Sequence, residues 1–385
     1  MLKKWFFGLL AGLSMGFVYG LAQQGSTLPG LKSGKIRMIE VSAISDDSLP
    51  QNIIVEMPAS ISLHRSGDVF VCDAKAADIK RFDATGKFLG IIGRRGQGPG
   101  EFSSPTIVHV SERHLVVWDQ ATKQLSHLTI EGQFLKGVRF DQEIEGYPVQ
   151  IRSLPDDRFI IETERFNNQS QQYPQECLIR LYSSKMEFIK TLYAKPVFRF
   201  KRIFDPGYAE IHQPFNPRVY WDVTPDGKVV IGYAEKYEIE IYDPDKGRLL
   251  SFSGKYVPVK VTEGDKEGHF FQMTVTFIKD GRKTTKKGAP PYVISNTLFP
   301  GNKPAFDGIK VDSDGSIWIH VYREDREEEK RTFDAFSDRG EYIGKTEILP
   351  PGEFPYSGTT IRDGCFWKIE IDEDGIFRIV KYKIS

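Results

Sequence analysis

The chain has 385 residues, with 52 Lys and Arg balanced by 52 Asp and Glu, so it carries no formal net charge. That balance gives no electrostatic case for nucleic acid or an anionic membrane surface as a partner. The length would fit two or three average domains, although single all-β domains often exceed the usual size.

The first residues read as an export signal. Lys3 and Lys4 precede the uncharged apolar run Trp5 to Leu21, and Gly20-Leu21-Ala22 offers the small-x-small site a signal peptidase requires. Residues 1–22 are expected to be a cleaved signal peptide and residues 23–34 a linker, giving a periplasmic or secreted protein that meets the membrane only for export. The alternative is an uncleaved N-terminal membrane anchor, since the run approaches spanning length. No Cys follows the run, which speaks against a lipid anchor, and no later segment is long and apolar enough to span a bilayer.

From Lys35 onward a repeat organises the chain. A tight-turn pattern followed by an apolar run occurs at Arg65–Val71, Ser111–Val117, Pro155–Ile161, Pro225–Ile231, Ser313–Ile319 and Arg362–Trp367. Asp-Gly and Ser-Gly supply the positive-φ positions of a hairpin, and the β-branched and aromatic residues behind them favour strand. A second turn follows each of the first five, at Phe82–Phe88, Thr129–Phe134, Tyr182–Phe188, Tyr242–Leu249 and Phe336–Tyr342. Two hairpins per repeat make a four-stranded meander. The spacing fits blades of roughly 40–50 residues, two of them lengthened by insertions. The predicted fold is therefore an all-β, six-bladed β-propeller of four-stranded antiparallel blades over residues 35–385, with insertions at 194–218 and 255–304.

The last repeat is short. Only two further strands, Cys365–Ile371 and Ile376–Ile384, follow its first turn. An edge would be left unpaired there, and the strand-like segment Lys35–Met57 has no blade of its own. It is predicted to supply the outer strand of the sixth blade and close the ring.

The stretch Ile91 to Phe102 (IIGRRGQGPGEF), followed by Pro105, resembles the linker between NHL repeats, in which a glycine-rich turn leads through Phe and Pro into the next inner strand. Phe70–Asp73 followed by Ile79–Phe82 looks like the strand pair of the same repeat. Over its length the chain is similar to exported NHL-like six-bladed propellers of bacteria, a likeness extended by Tyr256–Thr262, Phe333–Phe336 and Val380–Ile384. The resemblance implies the fold and an exported location; it implies no particular reaction. The third blade departs from the pattern, having no glycine in either turn.

Several motifs have bland explanations. The GxSxG match Gly12–Gly16 lies inside the signal segment. The glycine run Gly93–Gly100 lacks GxGxxG spacing, contains Pro99 and leads into a strand, so it reads as a blade-to-blade turn and not a phosphate loop. Asp312-Ser313-Asp314-Gly315 and Asp372-Glu373-Asp374-Gly375 look like calcium loops but lack the distal Glu, and Asx turns account for them. The seven histidines are scattered. Cys72, Cys177 and Cys365 show no metal-ligand spacing and are expected to be small buried apolar residues, with no structural disulfide.

More informative is a set of polar residues just beyond the second strand of successive blades: Asp73, Asp119, Glu162 or Glu164, Glu235 and His320. Strand ends of a propeller converge around its channel, where propeller lactonases and lyases gather metal ligands; otherwise each Asp caps its own turn. The longer connections, 162–176, 194–218, 255–304 and 322–331, all join strand two to three or one blade to the next. A meander puts these on one face, opposite the short turns, which is the usual setting for binding or catalysis. Together with the linker Gly93–Gly100, which belongs to the same face, they gather Arg94, Arg95, Gln97, Phe198, Arg199, Phe200, Lys201, Arg202, Arg218, Arg282 and Lys283. The expected function is binding of a small molecule, a glycan or a protein on this long-loop face, by a monomer without a cofactor and without catalysis. The alternative is a channel-centred hydrolase or lyase using the strand-end carboxylates, with a divalent cation such as calcium at the channel mouth.

Overall fold

The computed structural model describes residues 35–45, 49–140, 145–167, 169–170, 172–203, 209–279, 282–321, 332–349, 359–371 and 375–384. The expected signal peptide 1–22, the linker 23–34, the connection 322–331 and the acidic turn 372–374 lie outside the described residues.

The chain opens with β1 (Lys35–Ile44). Blade one is β2 to β5 (Pro58–Leu63, Val69–Asp73, Asp78–Phe82, Phe88–Ile92), and blade two is β6 to β9 (Pro105–Val110, His114–Asp119, Gln124–Thr129, Phe134–Arg139). Blade three is β10 to β13 (Tyr147–Ser153, Phe159–Phe166, Gln175–Tyr182, Phe188–Val197), followed by a hairpin, β14 and β15 (Phe200–Ile203, Ala209–His212). Blade four is β16 to β19 (Val219–Val223, Val229–Tyr233, Glu238–Asp243, Gly247–Ser253). The connection after it carries α1 (Glu263–Gln272), the hairpin β20 and β21 (Thr274–Lys279, Arg282–Lys287) and α2 (Pro291–Asn296). Blade five is β22 to β25 (Phe306–Val311, Ile317–Val321, Thr332–Phe336, Tyr342–Leu349). The sixth blade takes β26 to β28 (Thr359–Arg362, Cys365–Ile371, Phe377–Ile384) from the C-terminal end and β1 from the other.

The six-bladed propeller predicted from the repeat is the fold, and both sets of turns fall where the pattern put them. Three first turns use glycine at positive φ: +92° at Gly67, +86° at Gly227 and +88° at Gly315. Blade three reaches the same left-handed conformation without glycine, at Asp157 (+64°) and Met186 (+62°). Asp is among the residues that tolerate it; at Met it is uncommon.

Ring closure runs through β1. It pairs antiparallel with β28, from Met38 opposite Ile384 to Ile44 opposite Ile379. At its start it also pairs parallel with the outer strand of blade five, Lys35 to Arg37 against Glu347 to Leu349. The closing strand is shorter than the predicted segment 35–57, and it fastens two blades, not one.

The core lies between the faces of neighbouring blades, so second strands are buried on both sides and read as continuous apolar runs. Phe70, Ile79, Phe102 and Leu115 pack between blades one and two; Trp118, Phe159 and Tyr182 between two and three; Ile160, Ile179 and Trp221 between three and four. Tyr237, Phe306 and Phe336 fill the space between four and five, and Ile44, Phe82, Trp367 and Ile379 that between six and one. Inner strands are also stitched directly: Val108 N and Val110 N donate to the hydroxyls of Ser60 and Ser62 at 2.9 and 3.0 Å.

The two insertions lock onto each other. Gln213 donates to Asn296 O and accepts from Leu298 N at 2.7 Å. Thr262 and Asp265 form a capping box at the start of α1, and Asp265 pairs with buried Lys303 at 2.8 Å. Among the described residues no helix is long and apolar enough to cross a membrane.

Candidate functional site

Each strand-end carboxylate has a local partner set. Asp73 accepts the backbone N–H groups of Glu56, Met57, Lys75 and Ala76 at 2.8–3.2 Å and the ammonium of buried Lys80 at 2.9 Å. Burial pushes its pKa up, but those donors outweigh it and hold the carboxyl below its ordinary value. Asp119 does the same work one blade on, accepting from Ser103, Ser104, Ala121 and Thr122 backbone N–H groups. In both blades the carboxylate clamps the incoming linker to the turn after the second strand.

Blade three extends its second strand to Phe166, so Glu162 and Glu164 lie within it. Glu162 is buried and accepts from Trp221 Nε1 at 2.7 Å, and Glu164 forms an ion pair with Arg199 at 2.9 Å. Two of the expected site residues are thus brought together. Glu235 is exposed in the turn after β17. His320 is buried, with Nδ1 bonded to Asp307 and its ring 4.8 Å from that of Phe333. Among the described residues no three His, Cys, Asp or Glu side chains converge on one point.

The basic residues of the long-loop face are similarly engaged. Arg94 is largely exposed and pairs with Glu101 at 2.7 Å, Arg95 donates to the Lys75 carbonyl, and Gln97 is exposed. The glycine run is built around Glu101 and Phe102: a Cβ on Gly96 would fall 2.1 Å from Glu101 Oε2, and one on Gly93 would fall 2.3 Å from the Phe102 ring. Arg202 pairs with Glu210 at 2.9 Å and covers the Phe166 ring. Arg218 donates to His212 Nε2 at 2.5 Å, an imidazole held neutral by burial and then by Arg218. The backbone of Arg282 and Lys283 is in β21, their side chains outside the described set.

None of these residues lines the cavity at the centre of the ring. That cavity, about 420 Å³, is walled by the inner strands of all six blades and reaches the first-turn ends at Ser111, Pro155, Pro225, Ser313 and Arg362. It therefore occupies the half of the channel nearer the short turns. Arg152 from blade three pairs with Asp222 of blade four at 2.6 Å, and Asp222 Oδ2 also accepts from Val311 N of blade five. His109 Nε2 accepts from Ser153 N at 2.9 Å, which fixes the proton on Nδ1; burial and then Arg152 lower its pKa to about 3, so the ring is neutral. Lys310 is 8% exposed and has no hydrogen bond or ion pair among the described residues. Burial first, then Arg152, pull its pKa down to about 8, with Asp222 opposing. At the mouth Asp312 accepts from the backbone N–H groups of Ser313, Asp363 and Gly364, and burial raises its pKa.

A signal for this set is present in the sequence. Ser62, Arg152, Asp222, Lys310 and Thr359 each stand five residues ahead of the turn positions 67, 157, 227, 315 and 364, so the repeat itself brings them to one level of the channel. Aligning the blades on their first turns would have grouped them.

Residues 50–220 match a family described as DUF5128, 6-bladed beta-propeller. None of the curated proteins compared with the chain matches it. Among solved structures, BF0058 of Bacteroides fragilis NCTC 9343, named as a presumed exported protein, is 10% identical, covers 91% of this chain and 99% of its own, and superposes with a TM-score of 0.49. A member of the DUF4221 family from Bacteroides vulgatus ATCC 8482 is 11% identical over 91% of this chain and 99% of its own, with a TM-score of 0.47. Virginiamycin B lyase from Staphylococcus aureus is 14% identical over 90% and 99%, with a TM-score of 0.39. The family match and the blade topology agree on one statement of identity: the chain is a six-bladed β-propeller.

Proposed function

We propose that this is an exported binding protein whose propeller holds a small polar ligand in the central channel, entered from the short-turn face. The observation that carries the proposal is Lys310, a nearly buried side chain that lines a cavity of about 420 Å³ and has no hydrogen bond or ion pair among the described residues. A cavity of that size suits a small metabolite, and a desolvated charge without a partner is expensive unless something occupies the space beside it. The expected long-loop residues support this placement indirectly. Their charges are engaged by Glu164, Glu210, Glu101 and His212, and Asp73 and Asp119 are bound to the backbone of their own turns. That arrangement favours binding over a hydrolase or lyase built on these strand-end carboxylates.

The test is a thermal-shift screen of small metabolites on the purified protein and on Thr360→Trp, which fills the channel from blade six. Ligands that bind only the native state raise the melting temperature. Shifts present in the parent and lost in the filled variant are expected; hits of equal size in both would overturn the channel proposal.

A further inference from the structure

Two groups in the channel narrow the ligand's chemistry, an inference that rests on the channel proposal. Arg152 directs Nε to Asp222 and Nη1 to the Ile151 carbonyl, leaving Nη2 without a hydrogen bond among the described residues. Lys310 has none at all. Asp222, the carboxylate that both of them feel, already makes three hydrogen bonds: Oδ1 accepts from Arg152 and from Val223 N, and Oδ2 from Val311 N. Two cations therefore share one carboxylate, two of whose bonds go to strand N–H groups.

The other groups facing Lys310 from the surrounding inner strands do not cancel the excess. His109 is neutral, and Ser60 and Ser62 accept from backbone N–H groups of blade two. Glu112, Asp157, Asp312 and Arg362 stand at the mouth, with Asp312 bound by the Asp363 and Gly364 N–H groups. One positive charge remains uncompensated inside the wall of the channel.

We infer that the channel receives a small oxyanion, a carboxylate- or phosphate-bearing molecule, seated between Lys310 Nζ and the free edge of the Arg152 guanidinium. Charge-assisted bonds of this kind are short and about twice as strong as neutral ones. A bound anion also restores the ammonium, so near pH 8, where Lys310 is half protonated in the empty channel, binding draws in a proton.

Isothermal titration of the purified protein at pH 8 tests this, with inorganic phosphate and succinate as separate probes, glucose as the neutral comparator, and two buffers of different ionisation enthalpy. Phosphate, succinate or both should bind, with an apparent enthalpy that changes with buffer in the direction of proton uptake; which of the two binds identifies the headgroup. Lys310→Met should weaken that binding at least tenfold, and because Lys310 has no partner to lose, the variant should melt no lower than the parent. Binding of neither anion, or anion binding unaltered in the variant, overturns the inference. If glucose binds, Thr360→Trp blocks it and both anions fail, the oxyanion falls and the channel proposal stands. If an anion binds equally to Thr360→Trp, both fall.

Discussion

Glu162 of blade three accepts a hydrogen bond from the indole Nε1 of Trp221 in blade four at 2.7 Å, both side chains being almost fully buried. A carboxylate on one blade is thereby tied to the inner strand of the next. Trp221→Phe removes the donor and leaves the carboxylate under-bonded, at an expected cost of about 3 kcal/mol. Denaturant unfolding of Trp221→Phe, Glu162→Gln and the double variant should give a coupling energy of about 1–3 kcal/mol. Additive effects would mean the bond contributes nothing between the blades.

Ring closure by β1 makes a second expectation. Deleting residues 35–44 exposes β28 along its whole length and also frees the end of β25. Unpaired edges of this length invite association. The truncated protein should melt roughly 10 °C lower or more and elute above monomer size on gel filtration. A monomer with the parent's melting temperature would refute the role assigned to β1.

The third expectation concerns pH. The folded-state value of Lys310, about 8, lies below its ordinary 10.5, so between the two the unfolded chain binds more protons and stability rises with pH. Below pH 8 the full cost of the buried ammonium is present. Lys310→Met removes it and should be more stable than the parent by about 3 kcal/mol at pH 7, an order-of-magnitude figure. The gap should close as pH approaches 10.5. Urea unfolding of both proteins from pH 7 to 10 reads this directly, and a constant gap would show that Lys310 is solvated.

Thiol chemistry gives the fourth. Cys72 and Cys177 are buried and free, with burial raising both thiols, and the half-buried Cys365 is raised by burial as well. Dithiothreitol should leave the melting temperature unchanged. Titration with a disulfide reagent at pH 8 should find three thiols in denaturant without reductant but leave Cys72 and Cys177 unreacted in the native protein. Fewer than three in denaturant would reveal a disulfide.

The architecture was legible because a hairpin has few chemical solutions: Asp-Gly and Ser-Gly at positive φ mark turns whatever surrounds them, and the strands behind them are too apolar to be anything but sandwiched. Even Asp157 and Met186, which hold the turn geometry without glycine, were found from their place in the repeat. The site residues were harder to read. Arg94, Arg199, Arg202 and Arg218 look available in a sequence because Glu101, Glu164, Glu210 and His212 meet them only in three dimensions. Lys310 looks like an ordinary polar residue in a strand until the ring places it in the channel wall without a hydrogen bond among the described residues.

The closing strand also sets the order in which the molecule can be assembled. Arg378 meets Glu40 across 338 residues of chain, and the sixth sheet has no fourth strand until its two sources are brought together. Contacts so remote in sequence carry a large loop-closure entropy and are slow to form. Five blades can form from local hairpins as the chain emerges, while the first strand waits for the last. Until then the edge of β28 and the apolar faces of blades one and six stay open, so the interval before the ring shuts is when the polypeptide most needs shielding from its neighbours.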